Sequence, residues 1–164
     1  MIQNISGNSN AADTIVTSGM VLTGTGTAGP NTISQNVIHS LSNNSGAVSN
    51  SIYASVAVPA TTANVVERNF VHSLSITSTA TTSQLVGILP VAGQGTYKNN
   101  MVRLGVDAAG ASITAGYAIY GMFEIAGTNN LYYNSVYVGG TGVASASTTF
   151  GFVSNVTTGT RNYV

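Results

Sequence analysis

The sequence predicts an all-β protein, a right-handed parallel β-helix (β-solenoid) of about 4–5 coils of 31–34 residues each. Three observations predict it: a motif that returns at a fixed spacing, columns of asparagine in step with that motif, and a composition dominated by β-branched, small and amide residues. The motif is clearest where Asn36-Val37-Ile38-His39-Ser40-Leu41-Ser42 returns 33 positions later as Asn69-Phe70-Val71-His72-Ser73-Leu74-Ser75. Asn100-Met101-Val102-Arg103 and Asn134-Ser135-Val136-Tyr137 continue it at steps of 31 and 34. Asn36, Asn69, Asn100 and Asn134 therefore form an anchor column, and asparagine suits it because amides stacked on successive strands can hydrogen-bond along the stack.

Five residues before each anchor stands a second column, Asn31, Asn64, Gly95 and Asn129, continued by Asn162. Asn and Gly both tolerate left-handed backbone angles, so this column is expected to mark a repeated tight turn. Ile33, Val66, Tyr97, Leu131 and Val164 follow the turn by two residues, and Ile38, Val71, Val102 and Val136 follow the anchor by two; both sets are expected to face the core. A further strand per unit is expected over 52–56, 85–89, 119–123 and 150–153, with Ile52, Leu85, Ile119 and Phe150 in register. Polar loops of variable length separate it from the anchor strand. Residues 1–30 read as a degenerate first coil and 31–164 as the repeated coils of one continuous domain. Helices are not expected, because no apolar run recurs at 3.6 residues with caps. A propeller blade needs a longer unit, about 40 residues or more.

These segments, with Ala118-Ile119-Tyr120-Gly121 and Tyr133-Asn134-Ser135-Val136-Tyr137-Val138-Gly139-Gly140, resemble the right-handed parallel β-helix repeat proteins of bacterial cell surfaces, within the pectate-lyase-like superfamily. The resemblance implies secretion or surface display, a rod-like shape and a place in a longer chain. Its relatives include both polysaccharide-degrading enzymes and non-catalytic stalks.

The composition narrows function further. Only 5% of residues are charged, four acidic against four basic, so no field exists to attract nucleic acid or anionic lipid. No apolar run is long enough for a membrane helix. Without cysteine there are no disulfides and no thiolate metal sites.

The four acids, Asp13, Glu67, Asp107 and Glu124, are scattered. A glycoside hydrolase needs two carboxylates about 5–10 Å apart. Asp107 and Glu124 read as solvated residues, and Glu67 as a stacked ion pair with Lys98. No catalytic residue is assigned. The most site-like feature is the column His39, His72, Arg103 and Tyr137, three residues after each anchor, expected to face solvent and to contact a glycan or another surface protein. As a metal site it lacks a third ligand, and Arg103 would repel a cation, so no metal or cofactor is expected. Two functions remain: a non-catalytic stalk, spacer or adhesive surface, or a fragment of a polysaccharide lyase or glycoside hydrolase whose catalytic residues lie elsewhere. Neither end carries a convincing polar cap, so either a longer parent chain or end-to-end stacking with another copy is expected.

Overall fold

A computed structural model shows a parallel β-solenoid of about four turns. The structure describes residues 1–7, 15–24, 31–45, 49–59, 63–78, 80–114, 116–141 and 149–164, which contain no helix. Every pairing between its named strands is parallel. Four sheets run along the stack. The anchor sheet contains Ile2–Gln3, Val37–His39, Phe70–His72, Met101–Leu104 and Ser135–Val138. A short sheet follows it, made of Ser6–Gly7, Ser42–Asn43 and Ser75–Ile76. The long sheet contains Ile15–Gly24, Asn50–Pro59, Gln84–Pro90, Ala118–Glu124 and Thr149–Ser154, and the fourth contains Thr32–Ser34, Ala63–Glu67, Gln94–Lys98 and Asn130–Tyr132.

Pairing partners in this arrangement lie about 33 residues apart, so side chains of the same coil position stack over one another. Ile2, Ile38, Val71, Val102 and Val136 make one inward column. Ile38, Val71 and Val102 are buried, whereas Val136, in the last coil of this sheet, is only partly covered. Leu41, Leu74 and Leu104 are fully buried beside them. A further inward column on the long sheet, Gly19, Ala54, Gly87, Gly121 and Gly151, sets how near that sheet approaches the anchor sheet. A Cβ built on Gly87 or Gly121 would lie 2.5 or 2.2 Å from Cγ1 of Val102 or Val136. Bulk on one sheet is matched by its absence on the other.

The anchor column forms the expected ladder. Nδ2 of Asn36, Asn69 and Asn100 donates to Oδ1 of the next anchor at 3.0, 3.0 and 2.9 Å, and each backbone N–H donates to that same oxygen. Each Nδ2 also reaches a main-chain carbonyl before it: Ser34, Ile33, Val66 and Tyr97 for Asn36, Asn69, Asn100 and Asn134. The left-handed residue is the one preceding the anchor, Gln35, Arg68, Asn99 or Tyr133, with φ of 54–57°. That strain costs about 1 kcal/mol per residue, and the anchor's bonds offset it.

Three expectations are corrected. Asn31, Asn64, Gly95 and Asn129 are not left-handed; Asn64 and Gly95 lie within strands, and Oδ1 of Asn64 accepts from Asn31 N at 2.9 Å. Asn64 is buried and bonds the neighbouring coil, buried Asn129 donates within its own coil to Glu124 Oε1 and Ala126 O, and the backbone does not reverse at either. Asn162 donates to Oδ1 of Asn130, not to Asn129, and Tyr163 rather than Val164 pairs with Leu131. Phe150 likewise pairs with Tyr120, while Thr149 takes the place beside Ile119. In each case the last coil is offset by one residue from the spacing of the earlier ones. Within residues 1–30, the described strands Ile2–Gln3, Ser6–Gly7 and Ile15–Gly24 pair in register with the coil that follows.

Candidate functional site

The outer face of the anchor sheet carries Gln3, His39, His72, Arg103 and Tyr137 in one unbroken register. The alternation that buries Ile38, Val71 and Val102 turns these neighbours outward. The two imidazoles stack, with ring centroids 4.8 Å apart and planes 4° from parallel. Each Nδ1 hydrogen-bonds the hydroxyl of the following serine at 2.9 Å, His39 with Ser40 and His72 with Ser73. Both serines are left-handed, with φ of 55° and 56°, which brings the hydroxyl back onto the ring. The pair His-Ser is thus a local unit that fixes ring orientation and leaves Nε2 pointing away.

Phe70 lies 4.5 Å from the His72 ring and joins the sequence-derived column from the side. Both histidines are half-buried, while Arg103 is exposed and Tyr137 is 61% exposed. Burial lowers the pKa of His72, and the neighbouring His39 and Arg103 lower it further, so the neutral ring is favoured. Below His72 a shallow depression of about 220 Å³ is lined by Phe70, Met101, Arg103, Ser135 and Tyr137. It offers an apolar floor, one fixed cation and one phenol. Phe70 and Met101 were not singled out from the sequence, although both stand one place after an anchor.

The carboxylates are dispersed. Glu67 pairs with Lys98 at 3.2 Å on neighbouring strands of the fourth sheet. Asp107 Oδ1 accepts from the backbone N–H groups of Ala109 and Ala111 and closes its own loop. Glu124, expected to be solvated, is fully buried. Its Oε1 accepts from Asn129 Nδ2 at 3.0 Å, and its Oε2 accepts from Ser154 Oγ at 2.6 Å and Tyr163 OH at 2.7 Å. A buried carboxylate needs such donors to remain inside. Asp13 lies outside the described residues. Among the described residues no group of three His, Cys, Asp or Glu side chains is placed to hold a metal ion.

The sequence reading also missed the outer face of the long sheet. Ser18, Tyr53, Val86, Tyr120 and Phe150 stack there, and Val56, Val86 and Leu89 form a small second cluster covered by Tyr53, Tyr120 and Phe123. Burial of Val86 and Leu89 leaves this face largely sealed by its own aromatic rings.

The fold defines the class as a parallel β-solenoid repeat protein. No family model matches the chain, and no curated protein or solved structure matches it.

Proposed function

We propose that this chain is a non-catalytic segment of a secreted or surface-displayed β-solenoid, serving as stalk or spacer and contacting glycans through the outer face of its anchor sheet. The observation that supports this reading best is the aligned column His39, His72, Arg103 and Tyr137 beside the depression floored by Phe70 and Met101. Sugar rings stack on aromatic faces through their C–H groups, and a guanidinium beside such a face supplies hydrogen bonds to hydroxyls. The surface class follows the resemblance to bacterial surface β-helix proteins. The scarcity of charge agrees with it, since a rod coated in Asn, Ser and Thr has no strong field of its own.

The test is a glycan array with the parent and a His72→Ala/Arg103→Ala variant, run beside reducing-sugar release from pectin, alginate and xylan. Binding by the parent that falls tenfold or more in the variant, without sugar release, is expected. Release abolished by Asp107→Asn in a variant that stays folded would instead support a carbohydrate-active enzyme, and binding indifferent to the double substitution would place the contact elsewhere.

A further inference from the structure

The asparagine column five residues before the anchors is interrupted once, inside the stack. Gly95 pairs with Asn64 on one side, and Thr96 pairs with Asn130 on the other, so Gly95 stands between Asn64 and Asn129. In the anchor ladder each Nδ2 donates to the Oδ1 of the next coil. The second column begins in the same way, with Asn31 N donating to Asn64 Oδ1 at 2.9 Å. At Gly95 there is no amide to carry it on.

Both flanking amides have a fixed orientation. Asn64 Oδ1 is engaged by Asn31, which leaves Nδ2 for the following coil. Asn129 Nδ2 donates to Glu124 Oε1 at 3.0 Å and to Ala126 O at 3.1 Å, so its Oδ1 is turned away from both. Asn64 Nδ2 and Asn129 Oδ1 are thus the donor and the acceptor that an amide at position 95 would bridge. Among the described residues neither atom has a hydrogen-bond partner, and nor has the hydroxyl of Tyr97. Asn64, Tyr97 and Asn129 are 1%, 0% and 0% exposed, so bulk solvent does not reach them.

Tyr97 accounts for the glycine. Its column otherwise holds the aliphatic residues Ile33, Val66 and Leu131. A Cβ on Gly95 would lie 2.8 Å from Cε2 of Tyr97 and 3.1 Å from Asn129 Oδ1, so a side chain at 95 and a ring at 97 compete for one space. The ring brings its own polar group to the interrupted rung. Burial and the nearby Glu124 carboxylate raise the pKa of Tyr97, so its hydroxyl stays protonated and can both donate and accept.

These groups select their occupant. The amide hydrogens of Asn64 oppose a cation, and the Glu124 carboxylate opposes an anion. A small neutral molecule that donates and accepts is water, and a buried water typically has about three polar partners. We propose that a structural water is bound beside Gly95, accepting from Asn64 Nδ2, donating to Asn129 Oδ1 and sharing a hydrogen bond with Tyr97 OH. The second ladder then continues through water where it has no amide. This inference does not depend on the glycan reading.

A crystal structure of the 164-residue chain tests it. Density for a water is expected about 2.7–3.2 Å from both Asn64 Nδ2 and Asn129 Oδ1. Direct bonds among the three side chains, or no density there where other buried waters are ordered, would overturn the proposal. Urea unfolding of Tyr97→Phe gives an independent sign. Removing a hydroxyl that is bonded to water lowers the midpoint, whereas removing an unpaired buried hydroxyl raises it, so a raised midpoint also overturns the proposal. The double variant Gly95→Asn/Tyr97→Val copies the pattern of Asn64-Val65-Val66 into the next coil. Its crystal structure should show the new amide bonded to Asn64 and Asn129 in place of the water. A water that persists beside the completed ladder would show that Gly95 does not make the site.

Discussion

At Asn69 a single side chain serves four partners: its Oδ1 accepts from Asn36 N and Nδ2, and its Nδ2 donates to Ile33 O and Asn100 Oδ1. With the site almost fully buried, no water can replace these bonds when they are lost. Asn69→Ala removes all four bonds; Asn36 Nδ2 keeps Ser34 O and Asn100 Oδ1 keeps Asn69 N, but Asn36 N and Ile33 O lose this partner, so at about 1 kcal/mol or more for each such group the loss should reach about 2 kcal/mol. Asn162→Ala, at an exposed position in the last coil, should cost well under 1 kcal/mol. Urea unfolding of both variants measures the contrast, and equal midpoints would refute the ladder's role. His72 gives a second prediction at this scale. Its pKa is lowered in the folded state, so the unfolded chain binds the proton more readily. Stability is therefore complete above the unfolded value of about 6.5 and falls as pH drops below it. His72→Gln should flatten the melting temperature between about pH 7 and pH 5, leaving only the part contributed by other groups.

Between elements, distance is set by the small column Gly19, Ala54, Gly87, Gly121 and Gly151 facing the β-branched residues of the anchor sheet. A Cβ on Gly87 meets not only Val102 Cγ1 at 2.5 Å but also the carbonyl oxygen of Gly121 at 2.6 Å. Gly87→Ala should therefore destabilise by about 1–3 kcal/mol, as overpacking does. Adding Val102→Ala should recover only part of this, because the carbonyl cannot yield; full recovery would show that side-chain crowding alone limits the approach. Val71→Asp, with an unpaired carboxylate in the same layer, should prevent folding, whereas Val136→Asp in the open last coil should fold with a lowered melting point. The anchor strands were legible in the sequence because stacking forces like residues into one column, and Asn36, Asn69, Asn100 and Asn134 repeat for that reason. The glycine column carried the same signal in Val86-Gly87-Ile88, Tyr120-Gly121-Met122 and Phe150-Gly151-Phe152, but it becomes meaningful only when the opposing sheet is known. The burial of Glu124 was not legible. Its donors lie 5, 30 and 39 residues away, brought together by a corner between two sheets that no local pattern encodes. In the candidate site the sequence gives His39, His72, Arg103 and Tyr137 as a column, yet not the left-handed Ser40 and Ser73 that orient the imidazoles, since serine is a poor sign of such backbone angles.

Across the whole molecule each coil touches only its neighbours, so stability is a sum of coil and interface terms along one axis. An inner coil has two interfaces and an end coil has one. The burial of equivalent side chains follows this count: in one column Ile38, Val71 and Val102 are 0%, 0% and 1% exposed, while Val136 is left half-open, and in another Met122 is 2% exposed where Phe152 below it is 38%. The missing coverage at the ends is apolar area that the inner coils remove from water, worth roughly 25 cal/mol per Å². Local opening should therefore become easier from the middle outward. Native-state hydrogen exchange should find the slowest amides in Phe70–His72, Gln84–Pro90 and Gln94–Lys98, and faster exchange in Ser135–Val138 and Thr149–Ser154. Glu124 modifies this gradient, because Ser154 and Tyr163 reach it from the last coil and hold that coil down. Glu124→Gln keeps the volume but replaces the carboxylate to which both hydroxyls donate with an amide, so exchange in Thr149–Ser154 should quicken while Phe70–His72 is unchanged. Uniform protection along the stack in a monomer would show that the solenoid opens as one unit, contradicting the nearest-neighbour account.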